Sequence, residues 1–264
     1  MAAPPLESLP HGLRVELAEA SSNLPGLTPL PPEIVDAAPD GRFRALRHAL
    51  SDHYRAFHAI APHAGRSRSE AAALDAFEAS PGALPQSFPA GFRDGLAMLN
   101  LGLTDGQGGW RTKSARLGDD RDGNQVYFPH VSAVPGQLER LLLRLADGQD
   151  SPVLLTAVVA YALLLNCHPF NDGNGRTARV LFNHLLRRGG MPRNVYLPLY
   201  EIALRSHGGY EIALRIAEIQ GDWEPFLRYM LNAILCFREL ALDAGLRREP
   251  DGDAGGMAHR LRGD

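Results

Sequence analysis

The chain has 264 residues, 45% of them hydrophobic and 22% charged, which is enough for one large domain or two small ones with a buried core. Its 27 basic and 30 acidic side chains give a formal charge of -3, and this balance argues against a protein that binds nucleic acid mainly through charge. The two cysteines, Cys167 and Cys236, cannot build a framework of several disulfides, so free thiols are expected.

No segment of the sequence resembles a membrane anchor or a secretory signal. Residues 151–167 are uncharged but include Ser, Pro, Thr and Asn, which favours a buried helix over a membrane span. The N-terminus lacks a basic segment followed by an apolar one. We therefore expect a cytoplasmic protein with no membrane and no nucleic-acid partner, and export without a cleavable signal stays open.

The first part of the chain predicts an arm followed by helices. Residues 1–40 are rich in proline and small residues, and the prolines between positions 25 and 32 would interrupt any helix beyond a short one at about 13–22. From residue 41, apolar side chains recur at steps of three or four, which predicts three helices. The first is carried by Phe43, Leu46, Leu50, Tyr54, Phe57 and Ile60, and the others cover about 72–77 and 92–101.

A small β-hairpin is predicted around residues 113–128. An Asp122-Gly123 dipeptide separates two short runs there, and such a dipeptide is a common signal for a two-residue turn between antiparallel strands. This hairpin is the only β element that we expect in an otherwise helical chain, so the fold class is mainly α.

An almost wholly apolar helix is predicted to lie at the centre of the fold. Leucines at 138, 141, 142 and 145 predict one helix, and Ser151-Pro152 then opens the apolar one, which runs to about Asn166. Because this second helix has no polar face, it must be surrounded by other elements.

The helices after it have recognisable ends. A helix at about 175–188 should stop at Gly189-Gly190, since glycine readily takes the left-handed conformation of a helix C-terminus. The last helices lie within 198–221 and, after Asp222 as N-cap, from 223 to about 246. The tail beyond is predicted to be disordered.

Between the two apolar helices, residues 168–179 read HPFNDGNGRTAR and concentrate groups that suit phosphate chemistry. Pro169 disfavours helical geometry at His168, so the preceding helix should end there and hold the imidazole at its end. Histidine is the side chain best suited to accept a proton near neutral pH. Phe170 is expected to anchor the loop in the core, and Asp172 offers the hard oxygen ligand that Mg²⁺ prefers beside substrate phosphates.

The next residues predict an anion site at a helix N-terminus. Gly173, Asn174 and Gly175 stand where the helix begins, and glycine lets backbone N–H groups approach an anion that the helix dipole also favours. Arg176 and Arg179 share a face of the first turn, and their guanidinium groups match the geometry of a polyphosphate.

Each of these residues also has an ordinary structural explanation. A histidine at a helix end is commonly a cap or packing residue, the Gly-Asn-Gly sequence alone is a turn, and arginine is frequent in this chain. Coincidence explains their joint occurrence poorly, because all of them fall within residues 168–179 between two apolar helices.

The sequence of residues 168–179 resembles, residue for residue, the signature of Fic domains, HPFx(D/E)GNGRxxR. The resemblance extends to Gly109-Trp110-Arg111-Thr112, to YFPHVSAVPGQLERLL and to GDWEPFLRYML, and so covers about residues 95–235. The predicted organisation is then an N-terminal arm over 1–40, a helical region packed on the core over 41–94, the Fic domain over 95–235, and a helix end with a disordered tail over 236–264.

The resemblance implies a helical bundle with a small hairpin, the flap, beside the active-site loop. It implies transfer of AMP from ATP to a Ser, Thr or Tyr hydroxyl of a target protein, which the flap at 113–128 would hold by strand-like pairing. The implied site consists of His168 as general base, Asp172 as ligand of Mg²⁺, Gly173 to Gly175 with Asn174 as the hole for the α-phosphate, Arg176 for the β- and γ-phosphates, and Arg179 for the γ-phosphate. Tyr210 stands where the family often places an aromatic near adenine, and a core tyrosine explains it equally well.

Two alternatives remain beside AMP transfer. Relatives move UMP, phosphocholine or a terminal phosphate, but the phosphorylating branch has Lys where Gly175 stands here, so the intact glycines favour nucleotidyl transfer. The other alternative is a catalytically silent module that binds phosphate or a protein, and the intact His168 argues against it.

A regulatory expectation comes from an apparent departure from the family. Many Fic proteins carry an inhibitory helix, (S/T)xxxE(G/N), whose Glu pairs with the second Arg of the motif and excludes the γ-phosphate. The best upstream match is Ser21 to Gly26, where Pro25 takes the place of that Glu, and these residues could equally be an unrelated loop. The hypothesis is that the chain does not inhibit itself in this way and leaves Arg179 free for ATP, unless a separate inhibitory protein supplies the Glu.

Overall fold

The computed structural model describes residues 1–51, 65–79, 91–117, 125–147 and 151–246. Its α-helices are α1 (His11–Ser22), α2 (Pro32–Ala37), α3 (Arg66–Ala79), α4 (Phe92–Leu103), α5 (Val134–Asp147), α6 (Val153–Cys167), α7 (Asn174–Arg188), α8 (Leu199–Arg205), α9 (Gly209–Gln220) and α10 (Glu224–Leu246). Short 3-10 helices cover Leu6–Ser8, Leu24–Gly26, Asp40–Leu46 and Val131–Ala133. The protein is thus mainly helical, as the sequence predicts.

Helix α6 lies at the centre, as its composition predicts. Most of its side chains are buried, and it packs most extensively on α7 and also against α5, α1 and α10. Its N-terminus follows Pro152, which has no side chain that could cap it. The hydroxyl of Ser21 on α1 accepts a hydrogen bond from the N–H of Leu154 at 3.1 Å, so the N-terminal arm supplies the missing cap.

The N-terminal arm packs on the rest of the molecule. The predicted short helix at 13–22 is confirmed as α1, and its Leu13 and Leu17 are fully buried in the core. The indole Nε1 of Trp223 donates to the carbonyl of Ala2 at 2.9 Å, which ties the start of the chain to the start of α10. The proposed boundaries at residues 40, 94 and 235 stay predictions.

The helix predicted from Phe43 onward is only partly correct. The structure has a 3-10 helix over Asp40–Leu46 and then turns, with Leu50 exposed. Phe43 and Leu46 are three apart, the period of a 3-10 helix, and both are buried, so the apolar spacing was real while the helix type was wrong. Positions 54, 57 and 60 lie outside the described residues. The other two helices of this region are confirmed as α3 and α4.

The predicted hairpin is represented in the described residues by an isolated antiparallel bridge. Arg116 pairs with Tyr127, and on either side the N–H of Leu117 donates to Val126 at 2.9 Å and that of Phe128 to Ala115 at 3.0 Å. No longer strand occurs among the residues that the structure describes, and the Asp-Gly turn lies outside them. The hairpin therefore stays a prediction.

The later helices follow the predicted order. Helix α7 ends before Gly189, and Gly190 takes the predicted left-handed conformation at φ 105°. Before α10, the carboxylate of Asp222 accepts a hydrogen bond from the N–H of Glu224 at 3.0 Å. Residues 247–264, the predicted tail, lie outside the described residues. Within the described ranges, no helix combines the length and the apolar character needed to cross a membrane.

Candidate active site

The loop between α6 and α7, residues 168–173, carries the start of the motif, and we call it the motif loop. It begins at His168, which ends α6 in the left-handed conformation at φ 47°. It ends at Gly173, whose φ of 78° precedes α7. A Cβ on Gly173 would lie 2.5 Å from Thr104 Cγ2 and 2.8 Å from Asn100 Nδ2, so only glycine fits at this position.

The motif loop is closed on itself by Asn174. The amide of this side chain accepts from the N–H of Phe170 and donates to its carbonyl, both at 2.9 Å. Phe170 is fully buried and stacks on Trp110 with ring centroids 4.7 Å apart, so it anchors the loop as expected. Because the Asn174 side chain is committed to the loop, its contribution to an anion hole would come from its backbone N–H.

Helix α4 holds the motif loop through a residue that the sequence analysis missed. Asn100 is fully buried and donates to the carbonyl of Asp172 at 2.8 Å and to the hydroxyl of Thr177 at 3.1 Å. Its Oδ1 accepts from the N–H of Gly109 at 2.8 Å. The available signal was a polar side chain on the buried face of α4, beside Leu96 and Leu99.

His168 lies against the predicted flap. Its imidazole stacks on the ring of Phe128, with centroids 3.7 Å apart and planes 15° from parallel. Burial lowers the pKa of His168 to about 4 and the positive charge of Arg111 acts in the same direction, while the main chain of Leu165 and the carboxylate of Asp172 oppose them. The imidazole is therefore neutral at pH 7, which is the state that a general base requires.

Asp172 and Arg176 form an ion pair at the N-terminus of α7. A carboxylate oxygen of Asp172 accepts from Arg176 at 2.6 Å, and the other accepts from the N–H of Gly173, also at 2.6 Å. Arg176 further donates to the carbonyl of Leu103 at 2.5 Å. The Asp172 side chain is 64% exposed, so its oxygens can be reached by a cation from solvent.

The described residues contain no cluster of three or more His, Cys, Asp or Glu that could enclose a metal ion. A site with the single carboxylate of Asp172 would still suit Mg²⁺, which keeps several waters and takes its other ligands from substrate phosphates.

Arg179 is not free, contrary to the hypothesis from the sequence. Its guanidinium forms a two-pronged ion pair with Glu70 of α3, with Nε 2.9 Å from Oε2 and Nη2 2.5 Å from Oε1. The side chains are 11% and 1% exposed, and Glu70 also accepts from the hydroxyl of Tyr196 at 3.0 Å. Burial would lower the pKa of Arg179, but the charge and hydrogen bonds of Glu70 raise it above its ordinary value.

Glu70 does not match the family's inhibitory pattern, because its neighbours differ from it. Arg66 stands where Ser or Thr is expected, and Ala71 where Gly or Asn is expected. A different signal was present: Glu70, Leu74 and Phe77 follow a helical period and are all buried in α3. A carboxylate on the apolar face of a helix calls for a charged partner in the core.

Tyr210 belongs to an aromatic cluster. Its hydroxyl accepts from that of Tyr161 at 3.0 Å, and its ring packs on Phe226 and Tyr229 with centroids 6.0 and 5.8 Å away. These contacts are those of a core tyrosine, and its role near adenine stays a prediction.

Comparisons with known proteins agree with this architecture. The family model described as Fic/DOC family matches residues 93–186. Proteins named protein adenylyltransferase Fic are similar to this chain, with 38% identity over 117 residues in Drosophila willistoni and 36% over 116 residues in Drosophila erecta. Each alignment covers 41% of this chain and 22% of the relative, so the matched region spans about a fifth of those proteins.

Two solved structures share the fold. A Fic family protein from Desulfovibrio desulfuricans G20 aligns with a TM-score of 0.54 and 20% identity over 91% of this chain and 67% of its own. The Fic-1 protein of C. elegans aligns with a TM-score of 0.54 and 19% identity over 89% of this chain and 72% of its own. The match to the Fic/DOC family model includes the motif loop at the junction of α6 and α7.

Proposed function

We propose that this protein transfers AMP from ATP to a hydroxyl side chain, Ser, Thr or Tyr, of a target protein and releases pyrophosphate. The observation that carries the proposal is the motif loop, which places a neutral imidazole and a glycine-rich helix N-terminus at its two ends. The names of the Drosophila relatives agree with this reaction.

The start of α7 would bind the phosphates. The first-turn N–H groups of a helix have no partner within it and attract an anion together with the helix dipole. The N–H groups of Asn174 and Gly175 belong to that turn and would receive the α-phosphate. Arg176 would exchange its contacts with Asp172 and Leu103 for the β- and γ-phosphates.

Asp172 would hold Mg²⁺ against the phosphates, where the cation neutralises charge on the leaving pyrophosphate. In the described conformation its carboxylate is paired with Arg176. On binding of the cation and the phosphates, Asp172 would exchange this contact for the cation and Arg176 would exchange it for the phosphates.

His168 would accept the proton of the target hydroxyl. The hydroxyl oxygen attacks the α-phosphorus, the bond from that phosphorus to the bridging oxygen breaks, and pyrophosphate leaves with the electron pair. The Nδ1 atom of His168 is buried, so the proton-accepting role falls to Nε2. Positioning and electrostatic stabilisation suffice for this in-line transfer, and no covalent enzyme intermediate is required.

The target segment would dock on the predicted flap. The described ends of that hairpin already pair through Arg116 and Tyr127 next to His168, and an exposed hairpin edge can accept a further strand. The partner class is therefore a protein with an accessible hydroxyl residue in an extended segment.

Arg179 would bind the γ-phosphate only after Glu70 leaves it. The ion pair between them occupies the guanidinium in the described conformation, so Glu70 would act as the inhibitory Glu of the family does, although its neighbours differ from the family pattern. A separate inhibitory protein is then unnecessary for blocking Arg179.

The test uses the full chain with Glu70→Gln, Mg²⁺, a candidate target and ATP labelled at either the α- or the γ-phosphorus. We expect the α-label on the target or on the protein itself, a mass increase of one AMP, and no γ-label. Incorporation of the γ-label would show phosphate transfer instead. If the variant binds ATP and neither label appears, the silent binding module is the better description.

A further inference from the structure

We propose that Phe128, at the base of the predicted flap, positions His168 for proton transfer and does so as one unit with Arg111. Its ring covers one face of the imidazole at 3.7 Å between centroids. Arg111 connects the main chain on both sides of this stack. The inference deepens the proposed function, on which it rests for the role of His168 as the base.

Arg111 joins the flap to the end of α6. Its Nη2 donates to the carbonyl of Pro129 at 2.5 Å, its Nη1 to that of Lys113 at 3.0 Å, and its Nε to that of His168 at 2.6 Å. The residue is 5% exposed, and its hydrogen-bond acceptors among the described residues are main-chain carbonyls. A single buried guanidinium thus fixes both arms of the flap relative to the main chain of His168.

His168 needs such support because its backbone is unfavourable. A φ of 47° is uncommon for a residue with a side chain, and the conformation persists only when its surroundings fix it. The N–H of His168 donates to Leu164 at 3.0 Å and its carbonyl accepts from Arg111, while Phe128 fixes the plane of the ring. The main chain of His168 is therefore held by hydrogen bonds, and its side chain by the stack on Phe128.

Phe128 also connects His168 with the face of the flap on which the target would dock. Its N–H donates to Ala115 at 3.0 Å within the paired segments. The preceding residue, Tyr127, is 71% exposed, as expected where successive side chains of an extended segment point to opposite faces. A target strand docked on the outer face would thus lie one residue away from the ring that covers His168.

The pKa of His168 should report whether the ring of Phe128 covers the imidazole. Burial is the largest cause of the low pKa of His168 and the charge of Arg111 adds to it, while the main chain of Leu165 and the charge of Asp172 oppose them. Exposing the face of the ring should therefore move the pKa of His168 upward toward its ordinary 6.5.

The experiment is an NMR titration of His168 in the full chain with labelled histidine, in which His168→Gln identifies its signal. We expect Phe128→Leu to raise the pKa by more than ~0.5 unit. Phe128→Tyr keeps the stack, and Tyr127→Leu changes only the exposed neighbour. In both variants the pKa of His168 should therefore equal that of the wild type. If Phe128→Leu does not fold, Phe128→Met replaces it. An unchanged pKa in the folded Leu or Met variant overturns the proposal.

The second measurement separates positioning from mere structural support. In the Glu70→Gln background, Phe128→Leu and Arg111→Lys should each lower kcat for AMP transfer by about tenfold, with the Kd for ATP within about twofold. Loss of ATP binding in parallel with kcat would show a general structural defect and overturn the assignment. If the parent transfers no AMP, the proposed function fails, while the titration still decides whether Phe128 controls His168.

Discussion

The motif loop and helix α3 meet at the same site, but they are attached to the protein in different ways. Neutral buried amides hold the loop: Asn174 closes it on itself, and Asn100 ties it to α4. Helix α3, in contrast, reaches α7 through a series of ion pairs, of which Glu70 with Arg179 is the most buried.

The other ion pairs between α3 and α7 lie further along α3. Glu78 accepts from His184 at 2.8 Å and from Arg187 at 3.1 Å, and Arg187 also contacts Asp75 at 2.6 Å. Burial raises the pKa of Glu78, but hydrogen bonds and charge from His184 and Arg187 outweigh it and leave the pKa below its ordinary value. Amide contacts require one geometry, whereas an arginine can exchange one anion for another. Under the proposed function, the N-terminus of α7 would bind the phosphates, and Glu70 of α3 would compete with them for Arg179.

Removing the imidazole of His168 should lower AMP transfer more than any other single substitution in the site. We expect His168→Ala to lower AMP transfer by about 10²- to 10⁴-fold, because no other described side chain takes the place of the imidazole. ATP binding should survive, since in the proposed function the phosphates would contact α7 and not His168. Transfer of α-label and ATP affinity by calorimetry measure the two quantities. Near wild-type transfer would refute the base assignment.

A single substitution at Glu70 should break the ion pair between α3 and Arg179. Glu70→Gln keeps the shape of the side chain and removes its charge, so we expect ATP to bind about tenfold more tightly and transfer to increase. Breaking the buried pair should cost about 3 kcal/mol of stability, which bound ATP partly restores. Thermal melts with and without ATP measure this.

Asp75→Asn is the matched control on the same helix. Its carboxylate is 65% exposed and contacts Arg187, away from the motif, so its removal should change ATP affinity little. Equal activation by both variants would mean that loosening α3, and not freeing Arg179, is what matters.

The attachment of the motif loop to α4 can be weakened at Asn100. Asn100→Ala leaves the N–H of Gly109 and the carbonyl of Asp172 without their partner, which should cost about 2 to 3 kcal/mol and weaken ATP binding. Asn232→Ala removes a single hydrogen bond to Ala45 and should cost about 0.5 kcal/mol. Denaturant unfolding compares them. Similar losses in the two variants would show that Asn100 has no special role in the loop.

Contiguity in the sequence explains which parts could be predicted. The motif, from His168 to Arg179, is one continuous segment with a strong signature, and α6 and α7 follow from their apolar patterns. Glu70 is 109 positions from Arg179, and Asn100 is 72 positions from Asp172. Neither pairing leaves a local pattern, because both depend on how helices pack. The error at Asp40–Leu46 has a different origin, since α- and 3-10 helices share similar apolar spacing over a short stretch.

The pH dependence should show the smallest effect. Burial, with Arg111, lowers the pKa of His168 to about 4, so transfer should hold its neutral-pH rate down to about pH 5 and fall near pH 4. The unfolded chain binds this proton near 6.5, so the contribution of His168 to stability is present above pH 6.5 and is lost as the pH falls toward 4. A pH profile of the Glu70→Gln variant, with its melting temperature at each pH, separates loss of the base from unfolding. An acid limb near 6.5 in a fully folded protein would show that His168 is not buried against Phe128 in the working enzyme.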